Sequence, residues 1–109
     1  MPEAVERALA AGGEADEVLR AAVAALAAEP GVVWAAIAFL EQGELVVGPQ
    51  AGEPDDTRRT CVPVLYDGAP VGELWVDGET DGDALEQVSS LVAEYVLVGW
   101  DTGGEAWEP

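Results

Sequence analysis

The sequence predicts an α+β domain: an antiparallel four-stranded sheet built from two hairpins, with N- and C-terminal helices packed on one face. Three observations carry this expectation. Residues 60–77, TCVPVLYDGAPVGELWVD, read as two short strands joined by a two-residue turn. Residues 32–40, VVWAAIAFL, are apolar on both faces, as a strand in the middle of a covered sheet is. Apolar residues at helical spacing mark a helix before the strands and another after them.

Taken in order, residues 2–11 suit a short helix stopped by Gly12-Gly13, and residues 1–13 read as a partly helical N-terminal extension. A domain over residues 14–99 follows. In its first helix, over 14–29, Ala15, Val18, Leu19, Ala22, Val23 and Leu26 share one face. Glu14, Asp16 and Glu17 crowd the first turn, where the helix dipole favours anions, and Pro30-Gly31 ends the helix. Its alanines give high propensity but a thin contact face, which implies close approach to a sheet or a second helix.

After the central strand, Gln42-Gly43 makes a tight turn into a short strand over 44–47. Residues 48–59, GPQAGEPDDTRR, read as a polar Gly/Pro-rich loop, in which Arg58 and Arg59 are expected to pair with their neighbours Asp55 and Asp56. In the second hairpin, Asp67-Gly68 suits a type I′ turn, which needs φ > 0 at both positions. Pro63 has no N–H, so its strand belongs at a sheet edge. The returning strand sets Gly72, Leu74 and Val76 on one face and Val71, Glu73, Trp75 and Asp77 on the other. A helix then starts at about Asp81, capped by Asp81 or Asp83, with Leu85, Val88, Val92, Tyr95, Val96 and Gly99 along one stripe. Its β-branched content leaves a strand over 95–100 as an alternative. Residues 100–109 have no periodicity and are expected to form a flexible acidic tail.

Charge and composition narrow the function. The chain carries 22 acids against four arginines, no lysine and no histidine, for a net charge of −18. Such a surface repels phosphates, so nucleic acid and anionic membranes are poor partners. A basic partner or nucleic-acid mimicry is the functional reading of the charge. The acids are spread along the chain rather than blocked, which favours a plain solvated surface. With Cys61 as the single cysteine, no intramolecular disulfide or thiolate metal cluster can form. The lack of histidine removes the commonest general base and metal ligand. Asp77, Glu79, Asp81 and Asp83 cluster, but their spacing departs from a calcium loop and reads as a capped turn, so no metal and no cofactor are expected. No apolar run reaches the ~18 residues of a membrane span and no basic n-region of a signal peptide is seen, so the expected location is cytoplasmic.

The segments Val62-Pro63-Val64, Asp67-Gly68 and Gly72-Glu73-Leu74-Trp75-Val76, followed by an acid-capped helix, resemble the closing hairpin and helix of the GAF family of small sensory domains. Within that family the chain looks most like the free methionine-(R)-sulfoxide reductases. Their W-x-G-F-Y strand is matched by Trp34-Ala35-Ala36-Ile37-Ala38, and their L-x-L-G-P-x-x-G-K-P stretch by the run from Leu45 to Pro54. The resemblance implies a GAF/profilin-like fold with the 32–40 and 71–77 strands adjacent in the centre, 44–47 outside the first and 60–66 outside the second. It also implies that the reductase chemistry is lost. The family's catalytic cysteines lie in a long segment between the hairpins, which here has shrunk to 55–60. Cys61 falls in the returning strand, where the family has no catalytic thiol. The reductase's ligand-binding aromatic is matched by Ala38, and the first acid of its G-x-L-D-x-D strand by Trp75. Trp34 and Asp77 match ligand-contacting positions.

Three function classes follow. The preferred one is a non-catalytic GAF-like module that senses a small molecule or binds a protein. The alternatives are a roadblock-like adaptor and a degenerate enzyme of the sulfoxide reductase type. Trp34, Trp75 and Asp77 are the candidate ligand-binding residues, although the tryptophans equally suit core, or a plug in the space a ligand would fill. Cys61 as a nucleophile would need a thiolate and lacks a histidine base, so a small buried hydrophobe is the expected role. Leu91, Val98 and Trp100 lie off the stripe that covers the sheet and are the candidate homodimer interface. Charge repulsion opposes that pairing, so association is expected to tighten with salt.

Overall fold

Gln42 and Gly43 take φ of 51° and 84°, and Asp67 and Gly68 take 56° and 83°, so each hairpin closes in two residues. The strands they join are β1 (Val32–Glu41) with β2 (Glu44–Gly52), and β3 (Arg59–Tyr66) with β4 (Ala69–Gly78). In the computed structural model, which describes the backbone of residues 2–106 and the side chains of residues 2–97, all neighbouring strands are antiparallel in the order β2-β1-β4-β3. This is the expected order. The doubly apolar β1 is central, and Pro63 lies on an edge strand, where a missing N–H costs no ladder bond.

β2 is longer than the sequence suggests. It runs to Gly52 because Gly48-Pro49, which read as the start of a loop, sits at a bulge. Ala36 pairs with Gln50 and Ala38 with Val47, so β2 carries the extra residue. Gly48 leaves room for the Phe39 ring, which a Cβ at that position would strike. The connection between the hairpins is thereby reduced to residues 53–58, with a 3-10 turn over Asp56–Arg58.

The helices are α1 (Pro2–Ala10), α2 (Ala15–Ala27) and α3 (Gly82–Ala106). α2 lies over β1 and β2, α3 over β3 and β4, and α1 against both helices. Leu19, Val23 and Leu26 of α2 and Leu85, Val88, Val92 and Val96 of α3 meet Ile37, Val64, Leu74 and Val76 of the sheet in one core. Burial of each such side chain stabilises the fold by roughly 1.5–3 kcal/mol. Val5 of α1 is fully buried in this core, and α1 packs on α2 and α3.

Local signals fix the helix starts. The Glu14 N–H donates to Glu17 Oε1 at 3.1 Å. Asp81, of the two proposed caps for α3, is the one used: its Oδ1 accepts the Asp83 N–H at 3.0 Å. α3 then continues past Gly99 to Ala106, through the segment for which a strand was the alternative and into residues expected as tail. Once the first turns are docked, each further residue adds a backbone hydrogen bond that offsets the cost of ordering it, with no new nucleation cost. Leu91 is half-buried against the core rather than outside it. Val98 and Trp100 lie outside the residues whose side chains are described. Among the described residues, no helix is long and apolar enough to cross a membrane.

Candidate functional site

Strand alternation turns every second residue of the sheet away from the helices. On that open face the register aligns Trp34, Asp77 and Arg59 in one cross-strand row. Ala36, Trp75 and Cys61 form the next row, and Ala38, Glu73 and Pro63 the third. Gln50 joins from β2, opposite Ala36. Ala36 and Ala38 are fully buried in this face, although the helices pack on the other.

Arg59 is the centre of the arrangement. Its Nε donates to Asp77 Oδ1 at 2.8 Å and its Nη2 to Asp77 Oδ2 at 3.0 Å, a two-pronged pair. Its guanidinium carbon stands 4.6 Å from the Trp34 ring centroid and 5.3 Å from that of Trp75. The two indoles are 6.4 Å apart and tilted by 44°, so the guanidinium sits in a wedge between them. Each indole is tied independently: Trp34 Nε1 donates to Gln50 Oε1 at 3.3 Å, and Trp75 Nε1 to Glu73 Oε1 at 2.8 Å. The Asp55 N–H donates to Asp77 Oδ2 at 2.6 Å, which pins the inter-hairpin connection to the same carboxylate.

Asp77 is fully buried, yet its hydrogen bonds from Arg59 outweigh burial and, with the Asp55 N–H, hold its carboxyl below the ordinary carboxylate range. The same bond pushes Arg59 further up, so the pair is charged at neutral pH. Cys61, expected to be buried, stands exposed because it occupies the open face of an edge strand. Desolvation against the sheet and the Glu73 carboxylate push its thiol up, and Arg59 offsets this only in part. Among the described residues, no three Cys, Asp or Glu side chains converge as metal ligands. A second concavity, at the far end of the sheet, is lined by Leu40, Pro70, Val71 and Leu97 and carries no titratable group.

The three residues chosen from the sequence as ligand-binding, Trp34, Trp75 and Asp77, therefore meet in space. The fourth member, Arg59, stands in sequence beside Asp55 and Asp56, but its bidentate partner is Asp77, directly across the β3–β4 ladder. Counting back from the Asp67-Gly68 turn would set Arg58 opposite Asp77. The bulge at Val71 adds one residue and shifts the pairing to Arg59, on the open face.

With this geometry in hand, the chain is similar to the GAF domain of Acinetobacter phosphoenolpyruvate-protein phosphotransferase, with a TM-score of 0.71 and 12% identity, covering 94% of this chain and 96% of that one. The fold is GAF-like. The chain is also similar to fRMsr of Staphylococcus aureus in complex with substrate (TM-score 0.67, 16% identity, 87% of this chain and 92% of that one). A third likeness is to the type II free methionine-R-sulfoxide reductase from Thermoplasma acidophilum (TM-score 0.64, 21% identity, 75% and 91%). No family model and no curated protein matches the chain. At these identities the likeness carries the architecture alone, and residue roles in this GAF-like chain rest on its own geometry.

Proposed function

We propose that this chain is a non-catalytic GAF-like interaction module whose open sheet face is closed by its own Arg59. One observation carries the reading: the guanidinium fills the wedge between Trp34 and Trp75 and satisfies the carboxylate of Asp77, so all three candidate ligand side chains are already engaged. The thiol chemistry supports it. Reducing a sulfoxide with thiols consumes two of them, forming a disulfide and releasing water as the sulfide departs. Cys61, held as a thiol and single in the chain, has no second cysteine to resolve an oxidised sulfur.

The direct test is turnover of free L-methionine (R)-sulfoxide with thioredoxin, its reductase and NADPH. The expected rate equals the protein-free blank and is the same for Cys61→Ser. Turnover above the blank that disappears in Cys61→Ser would overturn the proposal.

A further inference from the structure

We infer that Trp34, Trp75 and Asp77 form a binding site for a guanidinium-type organic cation, that Arg59 is its resident ligand, and that an external guanidinium takes the place once Arg59 is withdrawn. The inference rests on the reading of this face as non-catalytic and closed from within.

The site matches this cation class in three respects. A guanidinium is planar and offers parallel N–H donors, which is what the two oxygens of Asp77 accept at 2.8 and 3.0 Å. Its faces are weakly hydrated and pack on aromatic rings, and the two indoles, 6.4 Å apart and tilted by 44°, both lie within cation–π range of it. Asp77 has no exposed surface, so its charge depends on the cation seated against it.

The walls do not depend on Arg59. Gln50 holds one indole and Glu73 the other, each through Nε1. Asp55 holds Asp77 through a backbone N–H. Removal of the arginine side chain therefore leaves a preorganised wedge with a buried, unmatched carboxylate at its base. The Arg59 side chain keeps 25% of its surface exposed, which gives the wedge an opening to solvent. The net charge of −18 raises the local concentration of any cation. In the intact chain, Arg59 competes as an intramolecular ligand at high effective concentration, so a free cation at millimolar levels does not displace it.

The experiment is chemical rescue of Arg59→Ala with N-methylguanidinium, read by tryptophan fluorescence and by the thermal midpoint. The expected result is a saturable rise in midpoint with a Kd on the order of 1 mM, and no response in the unmodified protein or in the Arg59→Ala, Asp77→Asn double variant. N-Methylurea, which has the shape without the charge, is expected to do nothing. L-Arginine and an acetylated Gly-Arg-Gly amide carry the same head group; rescue by either supports the inference, and the difference between them shows whether the opening admits a free amino acid or an arginine within a peptide. If Arg59→Ala does not fold unaided, the same titration reads recovery of the fold, and Arg59→Gln provides a milder second host. A folded variant that shows no saturable response, or equal responses in the double variant, would overturn the inference. Because rescue is read without turnover, its failure leaves the non-catalytic reading standing, and sulfoxide turnover by the intact chain would strike that reading alone.

Discussion

Gly78→Val is expected to destabilise the fold by about 3 kcal/mol or more, read as a lower urea midpoint. Gly78 closes β4 with φ of 117°, a conformation L side chains rarely adopt. A Cβ there would also collide with the Gly31 carbonyl oxygen and come within 3.1 Å of Val32 Cα, both of them backbone that cannot swing aside. That carbonyl already accepts the Glu79 N–H at 2.9 Å, so its position is fixed. Gly43→Ala is the internal control. Gly43 also has positive φ, 84°, but nothing within 4 Å of a built Cβ, so only the strain of roughly 1–2 kcal/mol remains. Equal losses at the two positions would show that close approach does not matter at Gly78. Because Asp77 precedes Gly78, the same substitution is also expected to disturb the Arg59 pairing.

Much of this arrangement is written in local patterns. The 32–40 segment is apolar on both faces because β1 has helices on one side and the tryptophan face on the other. Pro63 marks an edge, and the two turns announce themselves through Gln42-Gly43 and Asp67-Gly68. Period-2 alternation also groups Trp75 with Asp77, and family resemblance adds Trp34. What escaped is decided by single-residue insertions. Gly48-Pro49 looks like loop chemistry until a bulge makes it compatible with an edge strand. Arg59 looks like a partner for nearby acids until the irregularity at Val71 sets it opposite Asp77. A bulge changes which face a residue occupies while leaving hydrophobic patterning almost untouched, so the most consequential side chain of the site was the least legible. Cys61 departs from its expected burial for a related reason: its apolar neighbours suggest burial, but its parity puts it on the uncovered face.

Asp77→Ala is expected to cost about 2 kcal/mol at neutral pH, because Arg59 loses its partner and the part-buried Asp55 N–H loses its acceptor. Asp77→Asn separates charge from shape and gives the pH dependence. The folded carboxyl titrates below its ordinary value of 3.8, so its stabilising contribution is fully present above that value and is lost as pH falls through the lower folded value. The gap in stability between the unmodified protein and Asp77→Asn is therefore expected to be constant near neutrality and to narrow below about pH 4. The remaining acids relieve their mutual repulsion over the same range, but they do so in both proteins, and the difference isolates Asp77. A gap that widens on acidification would mean that Asp77 is not held by Arg59.

The claim that Arg59 fills the open face is tested most directly by the NMR signals of its side chain. Arg59 Nε–H is predicted as a resolved, slowly exchanging resonance, with the δ-methylene protons moved upfield by the two indole rings and none of these signals shifting when L-methionine sulfoxide is added. Random-coil shifts and fast exchange for Arg59, or movement of its signals as the sulfoxide is titrated, would contradict it and return the wedge between Trp34 and Trp75 to an external ligand.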